Sequence, residues 1–85
     1  MTAKCVKETS GLEVGKKYEI EYCVIEGFHT DVHVAEYGVP PVSSTAFDEN
    51  FQKALQKAIN YFNKHYGDYD DTEYYVDGCL FIRDF

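Results

Sequence analysis

Residues 47–67, FDENFQKALQKAINYFNKHYG, decide the fold. Phe47, Phe51, Ala54, Leu55, Ala58, Ile59, Phe62 and Tyr66 recur at steps of three and four. On a helical wheel they fall within an arc of roughly 120–140°, the width of a core-facing stripe. Glu49, Gln52, Lys53, Gln56, Lys57, Asn60, Asn63 and Lys64 occupy the opposite side. Thr45 and Asp48 have the spacing of a loose capping box, and Asp48 and Glu49 suit the positive end of the helix dipole. Lys64 and His65 suit the other end, so His65 is assigned to the dipole and the last carbonyls. Gly67 can take the left-handed conformation that stops a helix. The stretch therefore predicts a helix that must lie on an apolar layer.

That layer comes from both sides of the helix. Upstream, Cys5 and Val6 can start a short strand, and Gly11 and Gly15 mark turns. Residues 16–25, KKYEIEYCVI, read as the best strand. Tyr18, Ile20, Tyr22 and Val24 share one face of the predicted strand, and Lys17, Glu19 and Glu21 the other. A loop from Glu26 through Thr30 follows. Asp31 to Tyr37 alternates again, with Val32 and Val34 opposite His33 and Ala35, which predicts an antiparallel hairpin. Gly38, Pro40 and Pro41 end it. Downstream, Asp68 to Asp71 reads as an acidic loop. Tyr74–Val76 and Cys79–Ile82 then read as strands joined by Asp77-Gly78, a two-residue hairpin turn. A single bulged strand over 72–83 is the alternative. Cys79, Leu80, Phe81 and Ile82 are apolar on both faces, which suits a strand inside a sheet or one covered by a second chain. The expected fold is α+β: a small antiparallel sheet in the order β-β-β-α-β-β, with one amphipathic helix across one face. The surplus Tyr and Phe then lie on the other face, at an interface or in a curled sheet.

The chain has 85 residues, enough for a single domain (1–85) with one modest core. Six Phe and eight Tyr argue against disorder. No apolar run approaches the roughly 20 residues that span a bilayer, and the N-terminus lacks the apolar stretch of a signal peptide. Cys5, Cys23 and Cys79 are odd in number and set among apolar residues, which predicts free thiols and a cytoplasmic location. Fifteen acidic and eight basic residues leave a net charge of −7. Such an anion is a poor ligand for nucleic acid or anionic membranes and favours basic protein partners.

The first half resembles small bacteriophage-encoded SH3-like barrel domains. Lys4-Cys5-Val6, Gly11-Leu12, Val14-Gly15-Lys16, Tyr18, Ile20, Asp31-Val32-His33-Val34, Pro41, Ser44 and Phe47 carry the resemblance. It covers residues 4–47 and implies a phage origin, a host-cell cytoplasm and a barrel-like N-terminal half. No biochemical activity comes with it. The chain departs from that family in the helix and acidic hairpin that follow, and in the segment from Phe28 to Thr30.

Catalytic, cofactor and metal motifs are not recognisable. His29 and His33 lie about 13 Å apart along an extended chain, too far to share a metal. Asp68, Asp70, Asp71 and Glu73 do not match a calcium loop, because Thr72, Glu73 and Cys79 stand at its fifth, sixth and twelfth places. The acidic segment is instead assigned to partner binding through Asp68, Tyr69, Asp70, Asp71, Glu73, Tyr74, Tyr75 and Asp77. Tyrosines supply contact area, and carboxylates pair with Lys or Arg. The expected function is non-catalytic: an accessory protein that binds and inhibits a host protein with a basic surface, with carboxylates standing in for the phosphates of nucleic acid. The alternative is a structural or assembly protein that forms homodimers through its sheet.

Overall fold

The computed structural model describes residues 1–84. Six strands, β1 (Thr2–Lys4), β2 (Lys17–Glu26), β3 (His29–Val34), β4 (Val42–Ser43), β5 (Glu73–Val76) and β6 (Cys79–Asp84), form one sheet. Its order is β4-β3-β2-β6-β5, with β1 beside the first residues of β2. One helix, α1 (Glu49–Lys64), packs on one face. The class is therefore α+β with one helix on one sheet, as the periodicities predict.

One pairing differs from the all-antiparallel expectation. β6 lies parallel to β2, with Tyr22 opposite Leu80 and Val24 opposite Ile82. The chain leaves β2 through the β3 hairpin, crosses α1 and returns through β5, so β6 arrives running in the same direction as β2. β1 and β6 thus share the edge of β2 opposite β3. The sheet stays open, with β4 and β5 at its ends, and the barrel that the resemblance implies for residues 4–47 is not seen.

Asp48, not Thr45, caps the helix. Its Oδ1 accepts from the Phe51 N–H at 3.1 Å, and its Oδ2 accepts from the Lys4 N–H at 3.3 Å, which ties the helix start to β1. Thr45 lies in a single 3-10 turn, Ser44–Ala46, and donates its N–H to Ser43 Oγ. Phe51, Ala54, Leu55, Ala58 and Phe62 are buried, as the stripe predicts. Tyr66 is 87% exposed, because the helix ends at Lys64 and the stripe stops with it. Gly67 then turns the chain at φ +95°.

In β2 the expected alternation breaks in the middle. Ile20 pairs with Val34 and Tyr22 with His33, so Glu21 is an extra residue, a β-bulge. Tyr18 and Ile20 are buried, and so are Cys23 and Ile25. The inner face therefore changes phase at Glu21, and Tyr22 and Val24 turn outward, away from the side predicted for them. β3 also starts earlier than expected. Glu26 pairs with His29, which leaves Gly27 and Phe28 as a two-residue turn in place of a loop. β3 ends at Val34 rather than Tyr37.

The C-terminal hairpin is the two-strand form. Val76 pairs with Cys79 around Asp77 (φ +50°) and Gly78 (φ +79°), and a tight turn needs positive φ at both positions. The core is aromatic-rich: Phe47, Phe51 and Phe81 are fully buried and their rings form a chain of tilted contacts. Cys5, Cys23 and Cys79 are free thiols with no exposed surface. A hydrogen bond with the Cys79 thiol, together with burial, pushes the Cys23 thiol well above its ordinary value.

Candidate functional site

β6 alternates between two environments. Cys79 and Phe81 are buried under the helix, whereas Leu80 and Ile82 are half-buried on the opposite face. Sheet register extends that opposite face. Tyr22 lies beside Leu80, which lies beside Tyr75, and Val24 lies beside Ile82, which lies beside Glu73. The bulge at Glu21 is what puts Tyr22 and Val24 in these rows. None of the four apolar residues Tyr22, Val24, Leu80 and Ile82 belongs to the core or packs against it. Tyr75 is 64% exposed. The result is an uncovered strip of apolar side chains across three strands.

The strip has a charged border. His33 stacks on Tyr22 with ring centroids 4.2 Å apart, and His29 Nε2 lies 2.7 Å from Asp31 Oδ1. Register and alternation put Glu21, Glu26, Asp31, Glu73 and Asp84 on this face. Its lysines, Lys4 and Lys17, pair with each other at the far end beside β1. The face is therefore apolar along its middle and anionic along most of its border.

The eight residues predicted to form one acidic surface are divided among five places. Glu73 and Tyr75 lie on the open face just described. Tyr74 turns the other way and stacks on Tyr61 of the helix, centroids 3.9 Å apart and planes 5° from parallel. Asp77 is exposed in the hairpin turn, and Tyr69 and Asp70 are exposed in the loop. Asp68 and Asp71 fold back onto the helix end, where their carboxylates reach His65.

His65 therefore does more than serve the helix dipole. Its Nδ1 lies 3.3 Å from Asp68 Oδ2 and 3.0 Å from Asp71 Oδ2. Two backbone bonds hold the loop in place: Asp68 N–H to the His65 carbonyl and Asp71 N–H to the Asp68 carbonyl. Arg83 of β6 locks the same turn. Its Nη1 donates to the Phe62 and His65 carbonyls at 3.1 and 3.2 Å, and its Nη2 to the Asp68 carbonyl at 2.7 Å. Phe62 lies in the last turn of the helix, where carbonyls lack intrahelical partners. The Tyr61 ring packs against His65, with centroids 4.3 Å apart and planes tilted by 32°. Partial desolvation and the negative charge of the nearby Asp71 carboxylate raise the Tyr61 phenol above its ordinary value.

Sequence reading missed Arg83 and the outward role of Tyr22 and Val24. The usable signal for the open face was β6 itself, apolar on both sides. Nothing local marks Arg83, because its three carbonyl partners are 15 to 21 residues away. Comparison with family models, characterised proteins and solved structures returns no match. Among the described residues, no helix is long and apolar enough to cross a membrane.

Proposed function

We propose that this protein is a non-catalytic binding protein whose open sheet face docks on a basic surface of a partner protein. The single observation that carries this reading is the apolar strip Tyr22, Val24, Leu80, Ile82 and Tyr75 inside a border of five carboxylates. An uncovered apolar face rimmed by charge is the usual anatomy of a docking surface. The border speeds encounter with a cationic partner, and the strip supplies the desolvated contact once docked. On the resemblance of the first half to phage-encoded domains, we take that partner to be a host-cell protein.

Self-association is the weaker reading. Two copies meeting through this face would bring like carboxylates together, and each copy carries a net charge of −7. The β5 edge is guarded in the same way, by Glu73 within the strand and by Asp70, Asp71 and Asp77 beside it.

The test immobilises the chain and two variants, Leu80→Ser/Tyr75→Ala and Glu73→Gln/Asp84→Asn. A partner recovered from lysate is then measured by surface plasmon resonance at low and high salt. The first variant should dissociate much faster. The second should associate more slowly and lose part of the salt dependence. A partner that binds both variants like the parent overturns this assignment of the surface. Concentration-dependent, salt-independent dimerisation would favour the structural role instead.

A further inference from the structure

We propose that His65, Asp68 and Asp71 form a binding site for a divalent transition-metal ion of the zinc class. The three side chains offer one imidazole nitrogen and two carboxylate oxygens, all within 4.8 Å of one another. An ion held about 2.1 Å from each donor separates neighbouring donors by about 3.0 Å at a right angle and about 3.4 Å at a tetrahedral angle. The distances from His65 Nδ1, 3.0 Å to Asp71 and 3.3 Å to Asp68, fall in that interval. The Asp68 and Asp71 carboxylates lie within 4.8 Å of each other, and the Asp68 carboxylate is exposed.

The donor chemistry selects the ion. One imidazole and two carboxylates suit zinc, cobalt, nickel and manganese. Calcium asks for six to eight oxygens, which this corner does not supply. Three protein donors leave a coordination position for water or for a group on a docked partner.

The surroundings hold the donors in place. His65 is the helix C-cap, with its N–H on the Tyr61 carbonyl at 3.1 Å. Arg83 clamps the carbonyls of His65 and Asp68, so the backbone beneath two of the three donors is fixed from β6. Tyr61 packs its ring on the imidazole, the kind of outer contact that orients a metal ligand. Asp70 adds a further negative charge to the same loop, so a bound dication also relieves repulsion within it.

The test titrates the whole, metal-free chain with Zn2+ by calorimetry and with Co2+ by visible absorption. One ion per chain should bind. His65→Gln, Asp68→Asn and Asp71→Asn should each weaken binding by at least about tenfold. Asp70→Asn, next door but outside the triad, should change it by less than about twofold if specific ligands rather than diffuse charge hold the ion. The Co2+ spectrum should lack a thiolate charge-transfer band, and millimolar Ca2+ should not compete. Circular dichroism checks that each variant is folded. The proposal is overturned if the parent shows no saturable binding. It also falls if Asp70→Asn weakens binding as much as Asp71→Asn, which means diffuse charge alone. A thiolate band would equally sink it, because the ion would then sit on cysteine.

Discussion

The two faces of the sheet are built from interleaved residues of the same strands, yet they do different things. On the inner face, Cys23, Val32, Phe81 and Cys79 are buried to the last side-chain atom under the helix. On the outer face, their immediate neighbours Tyr22, His33, Leu80 and Ile82 are left half-exposed. Both faces are apolar enough to bury. The difference is that the described residues form one α-helix, and α1 covers one side only. An apolar residue in this sheet is therefore structural or available according to its parity, and the Glu21 bulge sets that parity for half of β2.

Adjacent residues of β6 give the sharpest way to break this comparison. Phe81→Ala should destabilise the fold by about 3–5 kcal/mol, as the loss of a fully buried aromatic does. Ile82→Thr, one residue on, should cost under about 1 kcal/mol and spare the fold. Urea melts measure both. Equal losses would mean that the outer strip is core after all. The same contrast holds on the helix. Leu55→Ala should cost about 2–5 kcal/mol and the neighbouring Gln56→Ala almost nothing.

Arg83 is the exception to the division, an inner-face residue that works as a helix terminator. Arg83→Met removes charge-assisted bonds to three carbonyls and should cost roughly 1.5–3 kcal/mol. Hydrogen exchange should then speed up most in residues 62–71 and little in the β2–β3 hairpin. Uniform loosening would show that Arg83 supports the whole sheet rather than the helix end.

The smallest effect concerns Tyr61, which links the helix to the acidic corner. Its phenol sits above the ordinary value of about 10.0 in the folded chain. Above that ordinary value the unfolded chain releases this proton first, so the folded state holds more protons and stability declines as pH rises. Below it, the contribution is fully present. Tyr61→Phe should flatten the alkaline arm of a stability-against-pH curve and remove one late-titrating phenol from the ultraviolet titration. An unchanged alkaline arm would mean that neither burial nor the Asp71 charge acts on the Tyr61 phenol.

Residues that meet neighbours close in sequence were legible before folding. The stripe Phe51, Ala54, Leu55, Ala58 and Phe62 follows from helical period alone, and the Asp77-Gly78 turn follows from the positive φ that few other pairs tolerate. The α+β class comes from those periods, and so does the suspicion that β6 has two apolar faces. What tertiary structure decided is every question of partner and phase. A bulge leaves no mark in the pattern KKYEIEYCVI, because Tyr22-Cys23-Val24-Ile25 is apolar in either phase, and only the pairing with β3 shows that Cys23 and Ile25 face the helix. The acidic segment read as one self-repelling surface because its cationic and aromatic partners lie elsewhere in the chain. Arg83 arrives from β6 and Tyr61 and His65 from α1, and only the crossover that lays β6 beside β2 brings them together.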